Sequence, residues 1–313
     1  MSLETTNRWN TTIARKFVEH LSNVGRSGNG LEIDEFPFGS VLQTGRFDLQ
    51  GLVLPARTEL RRINFKSVDF TGAILKQLWF ESCLFFEATF DRVALNGLSD
   101  INNTFRRCSF DRSNFRKAKI GYRGSRFNEC HFMRCDFLQA GFIRPEFDNC
   151  VFEDCAFSGI DFKAASFENC QFSGEVRGVW FRGKYQLSPV IEQFPASRPN
   201  TMHSVSFKKA ILIDVTFSDY CNLSSVIPPD DGRHFLFNDW PKSIDNVYRQ
   251  SVSWPDPFRK QAENFYKSYQ SQAQTQQWYI LGEEALFNRY GREVGSKIWW
   301  ALLSGSDQKR IVL

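Results

Sequence analysis

A phenylalanine recurs at every fifth residue through the middle of this chain. The ten positions are Phe127, Phe132, Phe137, Phe142, Phe147, Phe152, Phe157, Phe162, Phe167 and Phe172. A period of five fits neither an α-helix, which repeats every 3.6 residues, nor a strand, whose side chains alternate every two. The chain must therefore turn a corner once per repeat, and a coil with four such sides closes on itself.

The residue two positions before each phenylalanine is mostly small or apolar, and the other three positions of the repeat are largely polar. The preceding residues are Ser125, Cys130, Cys135, Ala140, Pro145, Cys150, Cys155, Ile160, Ala165 and Cys170. This pattern predicts that each side of the coil contributes one large and one small side chain to a shared interior.

The same register extends upstream and resumes later in the chain. Its further centres are Leu60, Phe65, Phe70, Leu75, Phe80, Phe85, Phe90, Leu95, Phe105, Phe110, Phe115, Ile120, Phe207, Leu212 and Phe217. The pattern resembles the pentapeptide-repeat family over about half of the chain. The resemblance implies a bacterial protein with an all-β solenoid fold, a right-handed quadrilateral β-helix of pentapeptide repeats.

Three places depart from the register. Asp100 stands where a large apolar residue is expected, so we expect that side to bulge outward as a loop from Gly97 to Asn103. Two extra residues precede Phe127, and Gly121 and Gly124 suit a second bulge. The repeat then lapses at about residues 175–203, which predicts an inserted loop.

The two ends of the chain read as helix. Residues 1–30 predict an N-terminal capping helix that runs to about Val24 and has an apolar face, because a solenoid needs cover on its open first coil. The apolar positions are Ile13, Phe17, Leu21 and Val24. The repeat solenoid then occupies residues 31–227, and residues 228–313 form a C-terminal α-helical segment.

The C-terminal segment has helical spacing at Phe258, Ala262, Phe265 and Tyr269 and again at Trp278, Leu281 and Ala285. It resembles, more loosely than the coil does, the helices that follow the solenoid in bacterial members of the family, which dimerise or precede a membrane region. We therefore expect a homodimer through these helices, or membrane association through the C-terminus. The candidate dimer-interface residues are Phe258, Phe265, Tyr269, Trp278 and Leu281.

Charge and cysteine content limit the function classes. With 39 Lys and Arg against 35 Asp and Glu, the net charge of +4 favours neither a polyanion mimic nor a general nucleic-acid binder, and direct nucleic-acid binding is not expected. Seven of the 8 cysteines fall in the small inward position, which favours core packing over metal binding. Unpaired cysteines indicate a reducing compartment, here the cytoplasm.

The sequence contains no catalytic constellation. Its 4 histidines are scattered, no glycine-rich phosphate loop follows a strand, and no paired cysteines outside the core register have zinc spacing. We therefore expect no enzyme activity, no cofactor and no metal.

The outer surface supplies the candidate binding residues. One coil is rich in arginine and lysine, a later coil is acidic, apolar residues follow three successive repeat centres, and the expected loop is basic and aromatic. The candidate partner-binding residues are Arg106, Arg107, Arg112, Arg116, Lys117, Met133, Leu138, Ile143, Trp180, Arg182 and Tyr185.

These residues favour a non-enzymatic scaffold that binds an unidentified protein partner through its solenoid surface and loop. Two alternatives that the family resemblance implies stay open. One is a DNA-mimicking, topoisomerase-binding protein, although the basic coil and the positive total charge speak against it. The other is the cytoplasmic sensor domain of a membrane-associated pentapeptide-repeat protein.

Overall fold

Most of the predicted repeats form one short side of a parallel coil in the computed structural model, which describes Trp9 and residues 11–27, 41–184 and 198–306. The predicted centres Phe207 and Leu212 instead share one longer strand, residues 206–213. Successive coils stack through parallel strand pairing, and one side of the stack holds eight strands. The predicted all-β solenoid with helices at both ends is confirmed.

The strands belong to the four sides of the coil and to one separate pair. The first side contains β2 (Glu59–Arg61), β5 (Trp79–Glu81), β7 (Ser99–Ile101), β10 (Lys119–Tyr122), β13 (Gly141–Ile143), β16 (Asp161–Lys163), β19 (Trp180–Arg182) and β21 (Thr216–Ser218). The second side contains β3 (Asn64–Lys66), β6 (Leu84–Phe86), β8 (Thr104–Arg106), β11 (Arg126–Asn128), β14 (Glu146–Asp148) and β17 (Ser166–Glu168).

The third side continues the order around the coil. It contains β1 (Phe47–Asp48), β4 (Val68–Asp69), β9 (Ser109–Asp111), β12 (His131–Met133), β15 (Val151–Glu153), β18 (Gln171–Arg177) and β20 (Ser206–Ile213). The fourth side is held by single bridging residues, Val53, Ile74, Ala94, Asn114, Asp136 and Ala156. One coil of about twenty residues therefore visits four different faces of the rod.

The corners explain how a period of five is built. The residue two positions after a repeat centre adopts a left-handed backbone, as at Arg107 (φ 54°), Arg112 (φ 52°) and Arg134 (φ 52°). Its amide donates to the next coil, for example Arg112 N to the carbonyl of Met133 at 2.8 Å. These inter-coil hydrogen bonds help to hold non-glycine residues in a conformation that they seldom adopt elsewhere.

Stacked phenylalanine rings fill the interior. On the second side, Phe105 lies 4.7 Å from Phe85 and 4.7 Å from Phe127 between ring centroids, with nearly parallel planes. All eight cysteines are free and buried. Burial raises the pKa of Cys83 to about 12, so its thiol stays neutral in the core.

The structure around Asp100 differs from the bulge that the sequence predicts at Gly97 to Asn103. The side around it does not bulge outward, because β7 pairs with β5 and β10 and Asp100 is only 1% exposed at the centre position. Its carboxylate accepts hydrogen bonds from Asn103 Nδ2 at 2.5 Å, Gly121 N at 2.8 Å and Ser125 Oγ at 2.9 Å. Burial raises the pKa of Asp100 from 3.8 to about 6. A polar residue can occupy the core because its oxygen atoms find donors there.

The two extra residues before Phe127 form the expected bulge. The pairing of β10 shifts register between Lys119 and Tyr122, and Gly124 N donates to Gly121 O at 2.8 Å. Gly121 has φ +85°, and a Cβ there would lie 2.5 Å from Pro145 N. Only glycine fits this position without movement of the neighbouring coil.

The lapse of the repeat begins later than the sequence suggests. Residues 175–177 belong to β18, which pairs with β20, and residues 180–182 form β19, which pairs with β16 and β21. These coil positions lost the five-residue pattern but kept their large inward residues, Val176 and Phe181, both at most 1% exposed. Within the predicted loop at about 175–203, residues 185–197 lie outside the described residues.

Helix α1 (Thr11–Ser27) lies against the first coil. Phe17 and Leu21 are fully buried, and the ring of Trp9 meets Phe17 edge-on at 5.8 Å. Trp9 Nε1 donates to Gln50 O at 2.9 Å. The predicted positions Phe17 and Leu21 thus cover the start of the coil, while the side chain of Val24 lies outside the described residues.

The described part of the C-terminal segment contains four helices and one antiparallel strand pair. The helices are α2 (Trp240–Ser251), α3 (Phe258–Ala273), α4 (Glu283–Tyr290) and α5 (Arg292–Gly305), and the strands are β22 (His234–Phe237) and β23 (Tyr279–Gly282). Trp240 is fully buried and stacks on Tyr279 at 4.6 Å. Among the described residues, no helix combines the length and apolar character needed to cross a membrane.

Candidate functional site

Arginines of the predicted basic coil are largely neutralised by neighbouring coils. Arg107 Nε lies 2.9 Å from Glu129 and its Nη1 lies 3.6 Å from Glu87, while Arg116 Nη1 lies 3.0 Å from Asp136. Arg106 lies 3.9 Å from Glu129 as well. The hydrogen bond from Arg107 lowers the pKa of Glu129 below its usual range. The basic coil identified in the sequence is therefore not a basic patch in space.

The same coil also distributes its charges around the rod. Arg106 belongs to the second side, Arg112 turns the corner after the third side, and Arg116 lies on the fourth side. Arg112 and Lys117 are exposed and make no ion pair within the described part of the chain. Of the five basic candidates, Arg112 and Lys117 are therefore the two whose charge no ion pair in the described part of the chain compensates.

The three apolar candidates Met133, Leu138 and Ile143 are only half-buried but do not form one patch. Met133 ends β12 on the third side, Leu138 lies on the fourth side, and Ile143 ends β13 on the first side. Successive repeats face different directions, so proximity in sequence does not bring them together.

Trp180 and Arg182 lie in strand β19 rather than in a loop. Trp180 is 39% exposed, its Nε1 donates to Ser218 Oγ at 2.6 Å, and the Arg182 guanidinium lies 3.6 Å from its ring centroid. Arg182 in turn pairs with Asp161 at 2.9 Å and with Asp219 at 2.8 Å. Arg182 is thus committed to internal contacts and holds Trp180 in place, while Tyr185 lies outside the described residues.

The predicted dimer interface divides into buried and half-buried residues. Phe265 is fully buried against Trp240, and Leu281 lies in β23 rather than in a helix and is 6% exposed. These two side chains pack within their own chain, so they are wrong as interface residues. Phe258, Tyr269 and Trp278 are half-buried.

Trp180 lines a cleft of about 710 Å³ where the last coil meets the C-terminal segment. The other lining residues include Asp219 and strand β21 of the coil, Ser268 and Ser271 of helix α3, and Gln274 just after that helix. Tyr279 and Leu281 of β23 also line the cleft. Burial raises the pKa values of Tyr269 and Tyr279, so both phenols in the lining stay uncharged.

His234 also lines the cleft and joins the coil to the C-terminal segment. Its Nδ1 lies 2.7 Å from Asp231 Oδ2, and its Nε2 lies 3.0 Å from the carbonyl oxygen of Leu212 in β20. Gly282 packs directly on this ring, because a Cβ there would lie 2.7 Å from Nε2. His234 is therefore a fixed contact between the coil and the C-terminal segment.

The likeness of this chain to known proteins is limited to solved structures. No protein-family model matches the chain, and no curated protein matches it. The solved structures that match include HetL, a pentapeptide-repeat protein involved in heterocyst differentiation regulation from the cyanobacterium Nostoc, at 15% identity and a TM-score of 0.35 over 58% of this chain and 85% of HetL.

Another match is QnrB1, a plasmid-mediated fluoroquinolone resistance protein. The full-length form matches at 13% identity and a TM-score of 0.21, over 62% of this chain and 91% of QnrB1. What decides the assignment is the coil itself, which places one large and one small inward residue on each of four sides. This chain has the pentapeptide-repeat fold.

The end of the pentapeptide-repeat rod is closed by residues that sequence reasoning missed. Gln272 Nε2 donates to Phe217 O in the last strand of the first side, and Gln276 bonds both the amide and the carbonyl of Cys221, at 3.0 and 2.6 Å. Thr275 O accepts from Tyr220 N at 2.9 Å. Polar residues in the last turn of a helix and just after it carry no sequence signal for this capping role.

The described residues hold no group of three or more potential metal ligands from histidine, cysteine, aspartate or glutamate. The buried carboxyl of Asp100 lies in the interior of the pentapeptide-repeat rod, away from the cleft. The described residues thus place a cleft of about 710 Å³ beside the side chain of Trp180, which Ser218 and Arg182 hold.

Proposed function

We propose that this protein is a non-enzymatic scaffold that binds a protein partner at the cleft between the last coil and the C-terminal segment. The observation that carries the proposal is Trp180, which is half-exposed and fixed by Ser218 and Arg182 at the cleft wall. Tryptophan and tyrosine dominate binding energy at protein interfaces, and a side chain already held in one rotamer loses little entropy on binding.

The same rod offers a matched control for Trp180. Trp79 is also the first residue of a first-side strand and is 43% exposed, but it lies in β5 near the other end of the stack. Replacing either residue removes the same amount of aromatic side chain from the same repeat position. Only Trp180 lines the cleft.

Capture from cell lysate tests the proposal with immobilised wild type, Trp180→Ala and Trp79→Ala. We expect a partner protein to be retained by wild type and by Trp79→Ala and to be reduced about thirtyfold by Trp180→Ala, the loss typical of a central tryptophan. Equal retention by all three proteins, or loss with Trp79→Ala alone, would place binding elsewhere. Circular dichroism of each variant establishes that the coil is intact.

Arg112 and Lys117 remain candidates for a second contact with the partner. Changing Arg112, Arg116 and Lys117 together to glutamate tests them, and a weaker capture without loss of folding is the result that supports the predicted surface. The DNA-mimic alternative gains no support from the geometry, because acidic residues of several coils pair with arginines.

The homodimer through the C-terminal helices also stays a proposal. Its best support is the exposure of Tyr248, Val252 and Trp300 on α2, its C-terminal end and α5, at 45%, 62% and 57%. Sedimentation of the full chain and of Trp300→Ala tests it, and a monomeric wild type would end the proposal. Cytoplasmic location and membrane association through the C-terminus stay predictions.

A further inference from the structure

Cations from four successive coils come together on the fourth side of the rod. They are Arg57, Lys76, Arg92, Arg112 and Lys117, called the fourth-side patch below. All of them are exposed, and none forms an ion pair with another described residue. A run of basic residues in the sequence does not reveal this patch, because its members belong to different coils.

The corners of the coil arrange the patch in two rows along the rod. Arg92 and Arg112 turn the corner that precedes the fourth side, with φ 54° and 52°. Arg57 and Lys117 turn the corner that follows it, with φ 67° and 58°, and Lys76 lies just before that second corner. Adjacent coils of a parallel stack lie about 4.8 Å apart, so the second row runs for about 14 Å.

The carboxylates near the patch have donors of their own. On the fourth side, Asp136 pairs with Arg116 at 3.0 Å. At the adjoining end of the third side, Asp111 pairs with Arg134 at 2.7 Å, and Asp91 Oδ1 accepts a hydrogen bond from the Asp111 amide at 3.1 Å. Counted with Arg116 and Arg134, this surface has seven cations against three carboxylates, an excess of four positive charges. The patch therefore fits an anionic ligand.

The surface between the rows limits the kind of anion. The coil of Arg92 carries Ala94, Asn96 and Gly97 there, all half-buried, and no aromatic residue faces outward on the described fourth side. Single-stranded nucleic acid is held by stacking its bases on aromatic side chains, which this side lacks. A flat anionic membrane wide enough to touch both rows would also meet Asp91 and lose part of the attraction.

An extended polypeptide fits the two rows better. Its successive side chains point in opposite directions, so acidic residues at alternate positions can reach both rows from one backbone. Arginine binds carboxylates through two parallel hydrogen bonds. We propose that the fourth-side patch binds an acidic, extended segment of the protein partner, which runs along the rod between the rows. This inference deepens the second contact assigned to Arg112 and Lys117 and rests on the proposed function.

Fluorescence anisotropy with a labelled dodecapeptide of alternating glutamate and serine tests the inference on the full-length protein. We expect wild type to bind it at least about tenfold more tightly than the same peptide with glutamine in place of glutamate. The affinity should fall as salt is added, because exposed ion pairs are screened. Trp180→Ala should bind the acidic peptide like wild type, since Trp180 lies on the first side near the other end of the stack.

A charge reversal of the patch and a matched control locate the binding. The protein with both Lys76→Glu and Lys117→Glu should bind the acidic peptide about tenfold more weakly than wild type. The control carries Arg62→Glu and Lys66→Glu, which make the same change in net charge at exposed residues of the first corner and the second side. The control should weaken binding less than about threefold.

The reversed variants are expected to fold. Glutamate already occupies left-handed corners of this coil at Glu87 and Glu129, both with φ 54°. Glutamine stands at such a corner in Gln139, so Lys117→Gln is a milder second variant and should weaken binding by less than the reversal. Circular dichroism of each variant establishes that the coil is intact.

Several results would overturn the inference. Absence of binding, or equal loss in the reversed variant and in its control, would mean that the patch is not a site. Tighter, Lys76-dependent and Lys117-dependent binding of oligothymidylate, or of vesicles of phosphatidylglycerol and phosphatidylcholine, would assign the patch to nucleic acid or to lipid instead of an acidic segment.

Failure of this inference and failure of the proposed function are distinguishable. Trp180-dependent capture of a partner with no binding of the acidic peptide would leave the cleft as the site and remove the patch. Patch-dependent binding of the peptide without Trp180-dependent capture would remove the proposed cleft and leave the patch as the binding surface.

Discussion

Two parts of the rod fill the same buried centre positions with different kinds of side chain. In the aromatic coils, residues 125–172, every side places a phenylalanine at its centre, and Phe152 stacks on Phe132 and Phe172 at 4.9 and 4.8 Å. In the polar coil, residues 98–125, the centre of one side is Asp100, which is just as deeply buried. The strand pairing around the coil is nevertheless continuous.

The comparison shows that backbone stacking does not require an aromatic residue at every side. It requires a buried side chain that finds matching neighbours. Phenylalanine stacks on the rings of adjacent coils, and Asp100 accepts hydrogen bonds from Asn103, Ser125 and Gly121. The hydrogen bond from Gly121 N to the Asp100 carboxylate also links the bulge to the interior. The two regions should therefore respond differently to mutation and to pH.

The largest expected effect is loss of an aromatic ring from the aromatic coils. Phe152→Ala removes a 1% exposed ring and should lower the free energy of unfolding by about 3 to 5 kcal/mol, because the neighbouring rings cannot close the cavity. Urea denaturation measures the change. Phe86→Ala, at a half-buried outward position of β6, is the control and should cost far less; equal losses would show that ring stacking is not what stabilises the coil.

The polar coil should show a pH dependence that the aromatic coils lack. The pKa of Asp100 is raised from 3.8 to about 6 by burial, so folding favours the protonated acid. Its contribution is fully present below about pH 4 and is lost as the pH rises through about 6, with a magnitude of roughly 3 kcal/mol. Asp100→Asn should remove this part of the decline in the free energy of unfolding with rising pH.

The measurement is the free energy of unfolding of wild type and variant over this pH range, taken as a difference so that other titrating groups cancel. Asp154→Asn is the control, because Asp154 is exposed and asparagine tolerates its left-handed backbone. A parallel pair of curves for wild type and Asp100→Asn would contradict the link between Asp100 and stability.

A smaller effect is expected where the bulge meets the next coil. Gly121→Ala should cost about 2 kcal/mol, since φ +85° is unfavourable for alanine and the new Cβ would meet Pro145. Gly124→Ala is the comparison: it has φ +86° but open space around the Cβ position, so it should cost less. Thermal melts of both variants decide whether contact or backbone conformation dominates.

The smallest effect should come from the exposed pairs that link coils. Arg116→Gln breaks the 3.0 Å contact with Asp136, whose side chain and that of Arg116 are 33% and 46% exposed. Solvent screening limits such a pair to less than about 1 kcal/mol. A loss as large as that of Gly121→Ala would mean that the surface pairs, rather than the interior, distinguish the two regions.

The sequence predicts the coil well because its signal is local and repeated. Phe127 and its successors specify both the corner spacing and the inward face, and the glycines before Phe127 indicate a real bulge. The linear pattern wrongly predicts an outward bulge at Asp100, because nothing in it shows that Asn103 and Ser125 donate hydrogen bonds to that carboxyl. Phe181 was missed because the repeat around it is degenerate.

The cleft could be predicted only in part. The residue type of Trp180 indicates a binding role, but its position in β19 and the role of Arg182 in holding it depend on pairing with β21, far along the chain. The spacing around Leu281 predicts a helix, yet β23 pairs with β22 and buries all four of its residues. Burial against the last coil overrides local helical spacing.

The ion pairs between coils also link the substitutions that the rod can accept at positions one coil apart. Arg126 and Glu146 face each other at 3.2 Å across twenty positions of sequence, whereas Arg107 and Glu129 do so across 22 because the bulge lies between them. Among homologous chains, compensating charge reversals should therefore occur in step at these separations. A lineage that deletes the two extra residues should shift its correlated pairs from the longer separation to the shorter one.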